Sequence, residues 1–185
     1  MVMPITERRW TAQMVRELPD DGNRYEVVDG VLLVTPAPRG RHQAVLMQFI
    51  GRLWEYLKPL GRTGCLFTSP ADISWAADVL VQPDLFVLAP EDVSDDWATA
   101  KHLQLVIEIL SPSTRRADRV TKRAAYQRYG VGTCWIVDAD AANVEVWHPG
   151  DASPAEVRDV LRWQVSPGSP FLEIGLPELF GSLPR

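Results

Sequence analysis

Asp84 and Glu108 stand where buried strands should carry no charge. Asp84 closes the apolar run Val79-Leu80-Val81-Gln82-Pro83-Asp84, and Glu108 lies inside Leu103-Gln104-Leu105-Val106-Ile107-Glu108-Ile109-Leu110. Burying a carboxylate costs on the order of several kcal/mol unless it is paired, protonated or bound to a cation. Two of them therefore mark a site built around concentrated negative charge, and a divalent cation is the simplest partner. Lys122 follows on the next helical segment. A carboxylate, carboxylate, lysine set of this kind suits phosphodiester cleavage. Carboxylate oxygens are hard ligands that favour Mg²⁺ or Mn²⁺, and the carbonyl of Ile109 is available to complete the protein's share. Without metal the two acids repel, so at least one is expected to have a raised pKa.

Asp118, Lys122 and Tyr126 are spaced i, i+4, i+8, which puts them roughly on one helical face. The same segment carries Arg115, Arg116, Arg119, Lys122, Arg123 and Arg128 against one acid, Asp118, giving +5 over fourteen residues in a chain whose net charge is −5. An exposed charge run of this sort is ordinarily a solvated face balanced by nearby acids. Its place directly after Glu108 favours phosphate, so Arg115, Arg116 and Arg119 are expected to contact nucleic-acid phosphates.

These residues need elements to position them. Thr11 caps a short helix through Glu17, and Asp29-Gly30 joins Tyr25 to Val28 with Val31 to Thr35 in a hairpin. A long amphipathic helix is expected from Gly40 to Leu57, its apolar face made by Ala44, Val45, Met47, Phe49, Ile50, Leu53, Trp54 and Leu57. Strands follow near Cys65 to Thr68, Ala71 to Trp75 and Val81 to Leu88, then an exposed loop at Pro90 to Asp96 and the strand Gln104 to Leu110. A basic helix from Ala117 to Tyr129 leads into a hairpin of Cys134 to Val137 with Asn143 to Trp147. Short strands and a brief helix near Pro177 to Phe180 complete the chain. Strand, helix, strand around Glu108 implies a crossover and a partly parallel sheet. The fold class is α/β, a mixed sheet with flanking helices and antiparallel edge hairpins.

Length and composition exclude several classes. A chain of 185 residues, 46% hydrophobic and 23% charged, fits one domain without repeats or low-complexity tracts. No apolar run approaches the ~20 residues that span a bilayer, and Met1 to Glu7 lacks a signal-peptide pattern, so no membrane and a cytoplasmic location are expected. Cys65 and Cys134 lie 69 residues apart and match neither a disulfide framework nor a structural zinc site. The seven tryptophans are expected in the core and interfaces rather than as base-stacking platforms.

Tyr25-Glu26-Val27-Val28-Asp29-Gly30, His42, Gln82-Pro83-Asp84, Val106 to Thr114, Asp118, Lys122, Tyr126, Gly130-Val131 and Trp135-Ile136-Val137-Asp138 form an ordered series. It resembles the Uma2 family, also called DUF820, from about Thr11 to Trp147. That resemblance implies a restriction-endonuclease-like core of the PD-(D/E)XK superfamily and metal-dependent cleavage of DNA. The superfamily's lysine two residues after the second acid is here Leu110. The Uma2 pattern shares this change and implies that Lys122 supplies the lysine. Thr133 and Cys134 replace the family's usual Glu-Tyr, at no proposed ligand.

The expected catalytic set is Asp84, Glu108, Lys122 and Glu26, with Asp84 and Glu108 holding metal. Glu26 admits two readings, a further acid near the metal as the family pattern suggests or an outward residue of a hairpin strand. His42 is left outside the set, because a lone histidine at a helix start is more often structural. The expected function is a Mg²⁺-dependent endonuclease acting on DNA, and two-strand cutting makes a homodimer plausible. A catalytically silent nucleic-acid-binding or regulatory module is the alternative. A glycoside hydrolase also pairs carboxylates, but the lysine and basic strip favour phosphate over sugar.

Overall fold

Thr11 begins the first helix by accepting a hydrogen bond from Met14 N at 3.2 Å, and α1 (Ala12–Arg16) follows. The structure is a computed structural model that describes residues 9–183; Met1 to Glu7, with its expected lack of a signal peptide, lies outside the described residues. Strands β1 (Arg24–Val28) and β2 (Val31–Thr35) pair antiparallel around Asp29 and Gly30, both at positive φ (54° and 79°). That pair of left-handed residues is what a two-residue hairpin turn requires. The long helix α2 spans Gly40–Leu57 as expected. Its buried stripe is narrower than the sequence suggests. Val45, Phe49, Leu53 and Leu57 are fully buried, whereas Met47 and Trp54 are 62% and 46% exposed. Each of the four contributes about 1.5–3 kcal/mol by burial, enough to fix α2 on the sheet without help from the outer pair.

Strands β3 (Leu66–Thr68) and β4 (Ile73–Ala76) follow, and then the chain departs from expectation. Val81 to Leu88 is not one strand. It divides into β5 (Val79–Val81) and β6 (Leu85–Leu88), which belong to different sheets. Pro83 accounts for the break, since it lacks an N–H and cannot continue a ladder. Asp84 thus lies on the joint between two sheets rather than inside a strand.

After β7 (Leu103–Ile109), residues Ala117–Lys122 form a π-helical segment that passes into α3 (Arg123–Arg128). The remaining elements are β8 (Cys134–Asp138), β9 (Asn143–Trp147), β10 (Ala155–Val157), β11 (Val160–Trp163), β12 (Leu172–Gly175) and α4 (Leu176–Gly181). The main sheet has the order β10-β9-β8-β7-β6-β3. Its β7–β8 pair is parallel, as the crossover requires, and its other pairs are antiparallel. A second sheet runs β2-β1-β5-β4, and β11 pairs with β12. The fold is therefore the expected mixed α/β sheet with flanking helices.

Strand alternation gives the main sheet two buried faces. Leu85, Val87, Leu105, Ile107, Ile109, Trp135 and Val137 pack with the α2 stripe. Phe86, Leu88, Val106, Cys134 and Ile136 pack with Ala125 and Tyr126 of α3. Glu108 has the parity of the second set, so its side chain enters the layer between the sheet and the crossover helix.

Candidate active site

The pairing Leu85↔Ile107, continued by one residue, sets Asp84 opposite Glu108 at one end of β6 and β7. Cross-strand partners share a sheet face, so the two carboxylates point into one region. Three elements supply the rest: Glu26 from β1, Asp118 and Lys122 from the π-helical segment, and Tyr126 from α3. Glu26, Asp84, Glu108, Asp118 and Lys122 are each at most 3% exposed.

The helix winding helps this convergence. Over four residues an α-helix overshoots a full turn by about 40°. The wider π-helical turn falls short of one, so the drift from Asp118 to Lys122 offsets that from Lys122 to Tyr126. All three keep one row facing the acids.

Lys122 Nζ stands 2.7 Å from Glu108 Oε1, 2.9 Å from Glu26 Oε1 and 3.6 Å from Asp118 Oδ1. These contacts are ion pairs held by charge rather than aligned hydrogen bonds. Tyr126 OH donates a short hydrogen bond to the same Glu108 Oε1. Glu108 Oε2 has no protein partner although it is buried. Glu26 also accepts from Gln82 N at 2.7 Å, which ties β1 to the joint that carries Asp84. Glu26 therefore belongs to the cluster, and the outward reading is set aside. Ser69 Oγ donates to Pro83 O at 2.6 Å and holds the joint from its other side.

Asp84 is dressed differently. Its Oδ1 takes Arg24 Nη1 at 2.9 Å, while its Oδ2 meets His42 Nε2 at 3.0 Å and accepts from Ile109 N at 2.9 Å. His42, left outside the expected set, is thus in direct contact with it. Arg24 was not anticipated at all. Its signal was the period-2 spacing from Glu26, which puts both side chains on one face of β1.

The electrostatics follow from this dressing. Burial, joined by the neighbouring acids, pushes Glu108 up to about 8 against the pull of Lys122. Burial would raise Asp84 as well, but the His42 hydrogen bond and the Arg24 charge hold it well below the ordinary carboxylate range. Burial disfavours charge on Lys122, yet Glu108, Glu26 and Asp118 outweigh it and hold the ammonium protonated. Burial also raises Asp118. Four acids facing the fixed cations Arg24 and Lys122 leave an excess of negative charge, and one acid must take a proton or another cation. The unpartnered Glu108 Oε2 is the oxygen open to either.

A cleft of about 1130 Å³ opens on this cluster, lined by Arg24, Arg39, Arg41, His42, Asp84 and Ser111 among others. Of the four clustered acids only Asp84 reaches it. The basic strip lies elsewhere in charge terms. Arg115 pairs with Asp138 at 2.6 Å, and Arg119 pairs with Asp138 at 3.0 Å and Glu145 at 2.7 Å. In place of three free arginines the structure offers Arg116, which is exposed and without an ion pair among the described residues. The acidic body supplies the balancing charge from β8 and β9. Cys65 and Cys134 are both buried and free.

No match was found among curated proteins. A crystal structure of a "putative nuclease belonging to DUF820" from Anabaena variabilis is similar in fold. Its TM-score is 0.77 at 19% identity, over 93% of this chain and 98% of that one. No helix of the described residues is long and apolar enough to cross a membrane. The family model named Uma2, "Putative restriction endonuclease", matches residues 12–177. With the match spanning nearly all of the chain and taking in the acids, the lysine and the joint at Pro83, the protein belongs to the Uma2 family.

Proposed function

We propose that the chain is a Mg²⁺- or Mn²⁺-dependent endonuclease that hydrolyses phosphodiester bonds of DNA. The observation that carries this reading is the buried, unpartnered Glu108 Oε2 set across β6 and β7 from Asp84. Asp84 Oδ1 and Glu108 Oε2 would hold the cation. Among the described residues no three His, Cys, Asp or Glu side chains form a ready-made metal cage, so a bound ion would need backbone carbonyl and water as well. Bound there, the cation supplies Lewis acidity, acidifying water and offsetting charge that grows on the phosphate.

The chain's own groups do the rest. Lys122, kept protonated by its acids, holds Glu108 and Glu26 in register and places positive charge beside the reacting region. Glu26 positions Lys122. Tyr126 fixes the other oxygen of Glu108, leaving Oε2 for the cation. Arg39 on the cleft and Arg116 outside it, exposed and without an ion pair among the described residues, are groups available to backbone phosphates.

The test is cleavage of supercoiled plasmid with Mg²⁺ or Mn²⁺, with an RNA of matched length alongside. Glu108→Gln and Asp84→Asn are each expected to cut at least about a hundredfold more slowly, the scale of losing one electrostatic stabiliser. Cutting at the wild-type rate by both variants, or undiminished cutting by wild type in chelator, would overturn the proposal. A second reading, a non-catalytic nucleic-acid-binding module, is favoured by one observation: Arg24 and His42 already cover Asp84. It predicts DNA binding without metal-dependent cleavage.

A further inference from the structure

Arg24 stands where an incoming cation must pass. It is the first residue of β1, it lines the cleft, and its side chain is 20% exposed. Lys122, the other fixed cation, is 1% exposed and does not line the cleft. Nη1 of Arg24 bonds Asp84 Oδ1 at 2.9 Å and Ser69 Oγ at 3.2 Å. Its Nε lies 3.8 Å from Glu26 Oε2, buried and with no hydrogen-bond partner. One guanidinium thus spans two acids from the cleft side with part of its donor fork unused. Asp84 Oδ2 is already taken by His42 and Ile109 N, so Oδ1 is the oxygen a newcomer would use, and Arg24 holds it.

We propose that Arg24 is the resident counterion of the cation position, an occupant that a divalent ion must displace before the site can work. The inference rests on the metal-dependent reading above. The acid excess favours the exchange, because a dication replaces a monocation at the same oxygens. The cleft gives the guanidinium room to leave without disturbing β1. Once released it presents a planar fork of N–H donors where a substrate phosphate would lie. Loading the site and exposing a phosphate-binding arginine become one event.

The experiment is Mn²⁺ binding by calorimetry to the full chain, comparing wild type, Arg24→Gln and the double variant Arg24→Gln/Asp84→Asn. Arg24→Gln is expected to bind at least about tenfold more tightly, since removing one close charge at protein-like dielectric exceeds that factor. The double variant should lose the gain, which places it at Asp84. Through-space repulsion alone would also tighten binding, so wild type is examined by NMR. The Arg24 Nε–Hε signal must shift on saturation with Mg²⁺, and an unmoved signal overturns the proposal even if Arg24→Gln binds tightly or fails to fold. Equal or weaker Mn²⁺ binding by a folded Arg24→Gln also overturns it, while leaving the metal-dependent reading intact. Binding by no form, wild type included, overturns both.

Discussion

Asp84 and Glu108 face each other across two strands yet live under opposite rules. Asp84 borders the cleft with both oxygens satisfied, and its partners hold it charged. Glu108 is sealed in the sheet–helix layer with one oxygen satisfied and one orphaned, and burial pushes it up to about 8. Proximity of two acids therefore does not by itself divide the repulsion equally. The donors each acid finds decide which one is stable as an anion and which one waits for a proton or a cation.

The sharpest way to break this contrast is to remove what holds the sealed side. Lys122→Met leaves Glu26, Glu108 and Asp118 without their shared cation, and stripping one partner from a buried ion pair typically costs about 3–5 kcal/mol. Urea unfolding measures it. A loss below about 1 kcal/mol would mean that the acids are already neutral and that the lysine is a bystander. Single-turnover cleavage by any folded Lys122 variant should also fall by about two orders of magnitude.

Next in size, the two acids should answer neutralisation differently. Asp84→Asn removes a carboxylate that Arg24, His42 and Ile109 N all favour as an anion, so metal-free melts should show a loss of about 1–3 kcal/mol. Glu108→Gln at pH 8 should be neutral or stabilising, because the charge that burial opposes is gone. Equal losses from both would erase the distinction.

The pH dependence follows with its sign. Glu108 is lifted from 4.5 to about 8 on folding, so between those values the folded chain holds a proton that the unfolded chain has lost. Metal-free stability accordingly falls as pH rises through that window. Asp84 acts in a separate window. Its folded value is depressed, so its contribution is present above about 3.8 and is lost as pH falls below it. Urea midpoints at pH 5, 6.5 and 8 should decline in wild type, and most of the decline should vanish in Glu108→Gln. A slope unchanged by that substitution would assign the proton elsewhere.

The smallest effects lie on the outer strip. Arg119→Ala removes contacts to Asp138 and Glu145 and should cost about 1 kcal/mol, whereas Arg116→Ala should stay within about 0.5 kcal/mol. Salt-dependent DNA affinity gives the reverse order. Arg116→Ala should reduce the salt slope by about one counterion, and Arg119→Ala should leave it nearly unchanged.

The sequence announced much of this and concealed a definable remainder. The limits of α2 and the hairpin at Asp29-Gly30 were legible because apolar period and turn chemistry are local signals. The acids and Lys122 stood out because charge in an apolar setting is costly. The division of Val81 to Leu88 was missed although Pro83 announced it, since the apolar run on both sides hid a change of sheet. Arg24 and His42 were missed for another reason. Period-2 spacing sets Arg24 on the face of Glu26, but the contacts of both residues with Asp84 cross 60 and 42 residues, which no local pattern encodes. The pairing of Arg115 and Arg119 with acids of β8 and β9 was hidden in the same way.

The joint at Pro83 has a consequence for how the chain comes to life. Glu26 belongs to one sheet, Glu108 to the other, Lys122 to the segment packed beside them, and Asp84 to the link between the sheets. No single piece owns the chemistry. A newly made chain with only one sheet assembled has scattered carboxylates and an incomplete cluster. A chain that loses the small sheet through a local opening disarms itself before it unfolds. Whatever chemistry the cluster performs therefore depends on both sheets being in place at once.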